Sequence, residues 1–378
     1  MPLNVSSRLG HVAVTARRLF AVALLALSVS VTLPAQVRPL GHPTVEQRIA
    51  EVGLSPDDGF RFVVFGDQKN LWKDDFPRLL DQVRAEADSD GLLFMLDTGD
   101  IVDDGDEDHQ FERLRALLAT VADVPYLVGV GNHELLPENG AEERSRAHQN
   151  TAAFLGEDYA TDRMFFTKQV GPVRLLFLNT NDLPGVYPDL HDKDPAAAAR
   201  AAEQLQWLER ELRTEVHPTI ALSHHAFVQS AGKHRGHANA LWNHVYDDHG
   251  GRTLPEILVD GGVDLVLSGH VHSFEAFELE RNGRQMWSVN ASGRPTGWFS
   301  GSRMPNNWQG RELERLDDAG FKTRLDEWGV TQLAFMTDDT KRDQFALVSV
   351  DASGQLQIEI RDVDGTVLYS LNVPDGTL

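Results

Sequence analysis

The chain has 378 residues, 41% hydrophobic and 24% charged, an ordinary globular composition with apolar material for one large core or two smaller ones. Its net charge of −22 excludes a nucleic-acid-wrapping role, because general DNA binding needs a basic surface that displaces phosphate counterions. The absence of cysteine excludes disulfides, thiolate metal sites, cysteine nucleophiles and a lipid-modified cysteine anchor.

Arg8, Arg17 and Arg18 precede an uncharged run, Leu19 to Leu33, which closes on Pro34-Ala35. A basic flank, a short apolar run and a small-residue end predict a secretory signal peptide over residues 1–35, and hence export to the periplasm or the outside. The run is shorter than the ~18–20 residues that span a bilayer, so no transmembrane span is expected after its removal. Arg17-Arg18-Leu19-Phe20 resembles the twin-arginine export signal, with Ala16 where Ser or Thr is usual.

Residues 36–378 read as one domain. Thr44 to Val52 predicts a short helix. Strands are predicted at Phe60 to Phe65, Leu92 to Leu96 and Tyr126 to Val130, with helices from Asp74 to Ala87 and from about Glu107 to Val121 between them. Continuous apolar runs alternating with helices indicate β-α-β units whose strands are buried on both faces. Further strands are predicted at Val173 to Leu178, Thr219 to Leu222 and Leu265 to Leu267. Asp194-Pro195 starts a helix that reaches about Glu215, Asp as N-cap and Pro in the first turn. The remainder is β-rich: Phe274 to Leu279, Gln285 to Val289, Phe345 to Val350, Leu356 to Arg361 and Val367 to Leu371. The expected fold class is α/β, two mixed sheets forming a sandwich flanked by helices. Residues 291–332, with Arg294, Trp298, Trp308 and Trp328, interrupt the strands; they read either as a lid-like insertion or as a structural excursion.

Each of the first three strands ends in a polar cluster: Gly66-Asp67, Gly99-Asp100 and Gly131-Asn132-His133-Glu134. The spacing of ~30 residues is that of a β-α-β unit, so adjacent parallel strands bring these side chains together where open α/β sheets place ligands. The glycines are expected to let the chain turn so that the next side chain faces the crevice. Ser223-His224-His225 and Gly269-His270-Val271-His272 end two later strands in the same way, and residues two apart in an extended chain face one side. Taken singly, a Gly-Asp pair is a turn and an isolated histidine a satisfied polar group; five such clusters in order on one sheet edge point to a site. Oxygen and imidazole donors suit Mn, Fe or Zn in the divalent or trivalent state.

This ordered set resembles the motifs of calcineurin-like metallophosphoesterases, the superfamily that includes purple acid phosphatases, over about residues 60–290. The resemblance implies two metal ions: Asp100 bridging both, Asp67 and His272 on the first, and Asn132, His224 and His270 on the second. It implies a hydroxide between the ions as nucleophile on a small phosphorylated substrate, with His133 protonating the leaving alkoxide.

Two departures stand out. The family's first motif is Asp-x-His, whereas this chain has Asp67-Gln68-Lys69. The tyrosine by which purple acid phosphatases compensate, three residues after the second aspartate, is here Asp103, so no iron-tyrosinate colour is expected. Gln68 or Asp103 bending in, water, or a weakly bound first metal are the open readings. Lys69 has no lone pair to offer a metal and is expected instead to pair with a substrate phosphate, beside Asn132 and His133. His225 is an alternative to His224 as ligand, and His234 and His237 are expected at the crevice or, unliganded, on the surface. The acidic run from Asp103 to Asp108 does not fit a calcium-binding loop and leads instead into a helix. No Gly-x-Ser-x-Gly elbow follows a strand, and no phosphate-cradling Gly-Lys-Ser/Thr loop is present. Two function classes therefore remain: a metal-dependent phosphoric ester hydrolase, or a non-catalytic metal- or phosphate-binding protein of the same fold with an incomplete first site.

Overall fold

Among the described residues, thirteen strands follow in chain order: β1 (Gly59–Phe65), β2 (Leu92–Asp97), β3 (Tyr126–Val128), β4 (Phe166–Val170), β5 (Val173–Leu178), β6 (Thr219–Ser223), β7 (Leu265–Ser268), β8 (Phe274–Arg281), β9 (Arg284–Ala291), β10 (Thr331–Met336), β11 (Gln344–Asp351), β12 (Leu356–Asp362) and β13 (Val367–Val373). They form two mixed sheets, in the orders β13-β12-β11-β1-β2-β3 and β10-β8-β9-β7-β6-β5-β4. The computed structural model describes residues 37–70, 75–89, 91–136, 140–229, 235–291, 327–336 and 344–373. The expected signal peptide, Arg294, Trp298, Trp308 and His234 lie outside these residues.

Side-chain alternation divides the core into three layers. Phe62 and Val64 of β1, Phe94 and Leu96 of β2, Leu175 and Phe177 of β5 and Leu222 of β6 meet between the sheets, where Phe62 and Phe94 stack at 4.8 Å. Val63 and Phe65 face the other way, onto the helices Asp75–Asp88 and Asp108–Leu118. Phe76, Leu79, Leu80 and Val83 supply the apolar stripe of the first of these at helical spacing. Leu176, Leu178, Ala221 and Val266 pack outward on the helices Pro195–Glu211 and Leu254–Asp260. Strands buried on both faces need apolar residues at every position, which is why they appear as unbroken runs.

β1, β2 and β3 are parallel neighbours, as are β5, β6, β7 and β9, so the carboxyl ends of each set share one sheet edge. Asp194 caps its helix by accepting from Ala196 N at 3.1 Å. β3 stops at Val128, short of the expected Val130. The helices Ala141–Leu155 and Arg235–Asn243 and the strand β4 were not anticipated. The expected insertion 291–332 is entered and left by strands: Ala291 closes β9, Thr331 opens edge strand β10 on β8, and Trp328 is buried against Trp242 at 4.7 Å. Among the described residues, no helix is long and apolar enough to cross a membrane.

Candidate metal centre

Asp67, Asp100, His270 and His272 all sit in left-handed backbone, at φ 59°, 61°, 69° and 54°. Each such non-glycine residue costs about 1–2 kcal/mol, so the surrounding structure must hold it there. The turns leave the expected glycines a different task from the one foreseen. Of the glycines that precede these residues, only Gly99 has a positive φ, 103°. Gly66 is required by crowding, since a Cβ there would lie 1.9 Å from Thr98 Oγ1.

Two loops, those after β2 and β3, are tied by one carboxylate. Glu134, fully buried, accepts from Asp100 N at 2.8 Å, Gly131 N at 2.7 Å and Val102 N at 3.1 Å. It sits three residues after Gly131, the residue before the short helix Asn132–Leu135, in the position of a capping-box acid. Asn181 adds donors to the carbonyls of Val130, at 3.3 Å, and Gly131, at 3.1 Å. Neither residue had been assigned a role from sequence. The capping spacing was the available signal for Glu134; Asn181 follows β5 with none.

His224 is buried at the centre. Its Nδ1 donates to the Thr98 carbonyl at 2.8 Å, which leaves the Nε2 lone pair facing inward. Around Nε2 stand Asp100 Oδ1 at 3.3 Å, Asn132 Oδ1 at 3.2 Å and His270 Nδ1 at 3.1 Å. A tetrahedral ion with bonds of ~2.0–2.1 Å separates its ligand atoms by about 3.3 Å. These four residues therefore fit a metal ion in both spacing and donor chemistry.

A second group, Asp67, Asp100 and His272, has ligand atoms within 4.8 Å of one another, with His272 Nε2 3.4 Å from Asp67 Oδ1. Lys69 is buried here and its Nζ pairs with Asp100 Oδ2. An ammonium has three protons and no lone pair, so this position does not fit a second ion as the first does. Gln68 Nε2 donates to the Gly66 carbonyl at 3.1 Å, and its Oε1 is buried without a hydrogen-bond partner among the described residues. Asp103 lies beside His133, whose Nδ1 donates to the Asp103 carbonyl at 2.6 Å.

Burial pushes the Asp100 carboxyl up, but His224, Lys69 and His133 pull it down to about 2. Burial likewise opposes ionisation of Asp67, and the charge of His272 prevails and holds it below its usual range. Lys69 is lowered by burial and raised further by Asp100 and Asp67, so it stays an ammonium.

His225 does not replace His224: its Nδ1 meets Thr180 Oγ1 at 2.8 Å and its Nε2 the Tyr187 hydroxyl at 3.1 Å. It belongs to a third grouping with His237 and His270. His237 is half-buried rather than on the surface, with Nδ1 2.8 Å from His270 Nε2 and its ring 4.8 Å from Tyr187. The acidic run ends as expected, with Glu107 as N-cap and Asp108 in the first turn of its helix.

Comparison with known proteins bears on this geometry. Residues 60–274 match the family model described as calcineurin-like phosphoesterase. Comparison with curated proteins finds no match. Among solved structures, a purple acid phosphatase from yellow lupin (Lupinus luteus) seeds is similar at 16% identity and TM-score 0.56, over 83% of this chain and 53% of that one. The chain thus spans about half the length of the lupin protein. PhoD is similar at 13% identity and TM-score 0.49, over 85% of this chain and 72% of that one. GAP50, described as the anchor in the inner membrane complex of Plasmodium, is similar at 15% identity and TM-score 0.48, over 84% and 90%. At such identities the likeness to the lupin structure is one of fold.

Proposed function

The chain belongs to the calcineurin-like phosphoesterase family, and from that premise we propose that it hydrolyses phosphoric esters at the metal centre formed by Asp100, Asn132, His224 and His270, beside Asp67 and His272. The observation that carries this reading is the convergence of Asp100 Oδ1, Asn132 Oδ1 and His270 Nδ1 on His224 Nε2 at 3.1–3.3 Å. Oxygen and imidazole nitrogen atoms gathered at that spacing are the donor set a divalent cation takes.

A bound divalent ion supplies Lewis acidity toward the phosphoryl oxygens and acidifies water at its open position. The chain's own residues do the rest. Asp100 Oδ1, held by His133 N at 3.1 Å, and the Thr98 carbonyl, through His224, fix the donor atoms before any ligand arrives. His133 is in the Nδ1–H tautomer because a carbonyl only accepts; its Nε2, 3.9 Å from Asp100 Oδ2, is the atom that turns to the crevice. In the imidazolium form that Nε2–H gives its proton to the leaving alkoxide. Lys69 is the cation within reach of a phosphoryl oxygen, as an ammonium point charge. Small phosphorylated compounds are the substrate class, and residues 1–35, read as a signal peptide, would carry residues 36–378 out of the cytoplasm.

The test is to measure metal per chain, then assay p-nitrophenyl phosphate and its bis ester on wild type and His133→Ala. Bound metal with turnover of at least one ester is the expected result, with a loss in the variant that is larger for an alkyl phosphate than for the p-nitrophenyl esters. Bound metal with no turnover of either ester under Mn, Fe or Zn would favour the binding-protein reading instead.

A further inference from the structure

We propose that the Lys69 ammonium stands in the place of the family's first metal ion, so that this chain binds one ion, at Asp100, Asn132, His224 and His270, with Lys69 as its fixed cationic neighbour. The inference rests on the metal-centre reading above and concerns how many ions that centre takes.

Asp100 divides its two oxygens. Oδ1 faces His224 Nε2 and accepts from His133 N, the geometry of a ligand to one ion. Oδ2, its other oxygen, is engaged by Lys69 Nζ. The lysine cannot easily swing away. It lies in the short helical turn Gln68–Asn70, its own N–H is bonded to the Asp100 carbonyl at 3.0 Å, and its side chain is buried. Of the strand-end donors, Asp67 and His272 then remain for a first ion, with His272 Nε2 3.4 Å from Asp67 Oδ1.

Charge leads to the same conclusion. Two carboxylates, Asp67 and Asp100, meet one ammonium and one divalent ion, a sum of +1 that still attracts an anionic ester. A second divalent ion would bring the sum to +3 in a buried pocket and place two cations against the same Oδ2, where repulsion is weakly screened. Lysine differs here from the family's histidine in one property that matters: it contributes charge without a lone pair.

Stoichiometry tests this. Protein stripped with a chelator and reloaded with Zn or Mn is analysed for metal content and by titration calorimetry, with Mn(II) electron paramagnetic resonance as a second readout. The expected result is one ion per chain for wild type and for Lys69→Arg, with the six-line signal of isolated Mn(II). Lys69→His, which restores a lone pair, is expected to take two ions and show an exchange-coupled signal. Two tightly held ions in wild type overturn the inference while leaving the hydrolase reading intact. So does a Lys69→His protein that binds Mn(II) at one site only. A wild type that binds no metal overturns both.

Discussion

Replacing Glu134 by glutamine tests whether one carboxylate holds the metal-bearing turns in register. Oε2 serves both Asp100 N and Gly131 N, and Oε1 serves Val102 N. Glutamine has one oxygen for these three donors. With its oxygen at the Oε2 position, the amide NH2 confronts the Val102 N–H, and one buried donor is orphaned at about 1–3 kcal/mol. The two bonds that survive lose their charge assistance, about 1 kcal/mol each. One effect opposes this. Burial, then the neighbouring Asp100 charge, raise the Glu134 carboxyl above its ordinary range, so neutralising it offsets part of this loss. The balance is a loss of roughly 2–4 kcal/mol, read by urea unfolding of the metal-free protein at pH 7. Because Asp100 and Asn132 lose their support together, metal affinity should fall by roughly 10- to 100-fold. A variant within about 0.5 kcal/mol of wild type, with unchanged metal affinity, would show that the turns hold themselves and that Glu134 is a bystander.

His133→Asn should leave metal affinity nearly unchanged and lower kcat by roughly 10²–10⁴-fold for an alkyl phosphate. The loss should be smaller for p-nitrophenyl phosphate, whose leaving group needs little protonation; equal losses would argue against proton donation. Metal should raise the thermal midpoint of wild type, by about 2.7 kcal/mol of stability at a hundredfold excess over Kd, and His224→Ala should abolish most of that shift in a differential scanning experiment. Far from the centre, His217 is lowered by burial but raised net by Asp264, 2.9 Å away, and by Glu215. Its stabilisation is complete below the ordinary histidine range and is lost as pH rises through the elevated folded value. Stability should therefore decline from roughly pH 6 upward, and His217→Gln should flatten that decline; superimposable profiles would exclude the pair as its source.

The inner strands β2, β5, β6 and β7 were legible because each is buried on both faces and so carries a nearly unbroken apolar run. β5 (Val173–Leu178) coincides with its expected range. Elements with a weaker signature were not legible. β4 is only half-buried and alternates poorly, as Phe-Thr-Lys-Gln-Val, and the helix Ala141–Leu155 buries the polar residues His148, Asn150 and Thr151 alongside Phe154. Their burial is decided by distant partners such as the Glu134 carbonyl, 3.3 Å from Thr151 Oγ1. The candidate donors were legible because each follows the carboxyl end of a strand, although β1, β2 and β3 belong to one sheet and β6 and β7 to the other rather than to the single edge expected. Lys69 was visible as an oddity, but its pairing with Asp100, 31 residues away, depends on a register that no local pattern encodes.

The left-handed residues explain why the site could be named from sequence but not drawn. A Gly-Asp pair suggests that the glycine makes the turn, yet at Asp67 and His270 the strained residue is the donor itself, and the glycine beside it gives room for a neighbouring loop. At about 1–2 kcal/mol for each of four such residues, the strain is a large fraction of an ordinary folding stability. What holds it is a set of bonds between loops rather than within them. Asp67 N reaches the Gly99 carbonyl at 2.8 Å, His270 N the Asp67 carboxylate at 2.8 Å, and Gly269 N the His224 carbonyl at 3.0 Å. The bond from His270 to Asp67 joins the two sheets, so the donor set takes shape only when the sandwich has closed. Core packing and these cross-ties then contribute to imposing the geometry, and the metal-free protein is expected to be folded around it.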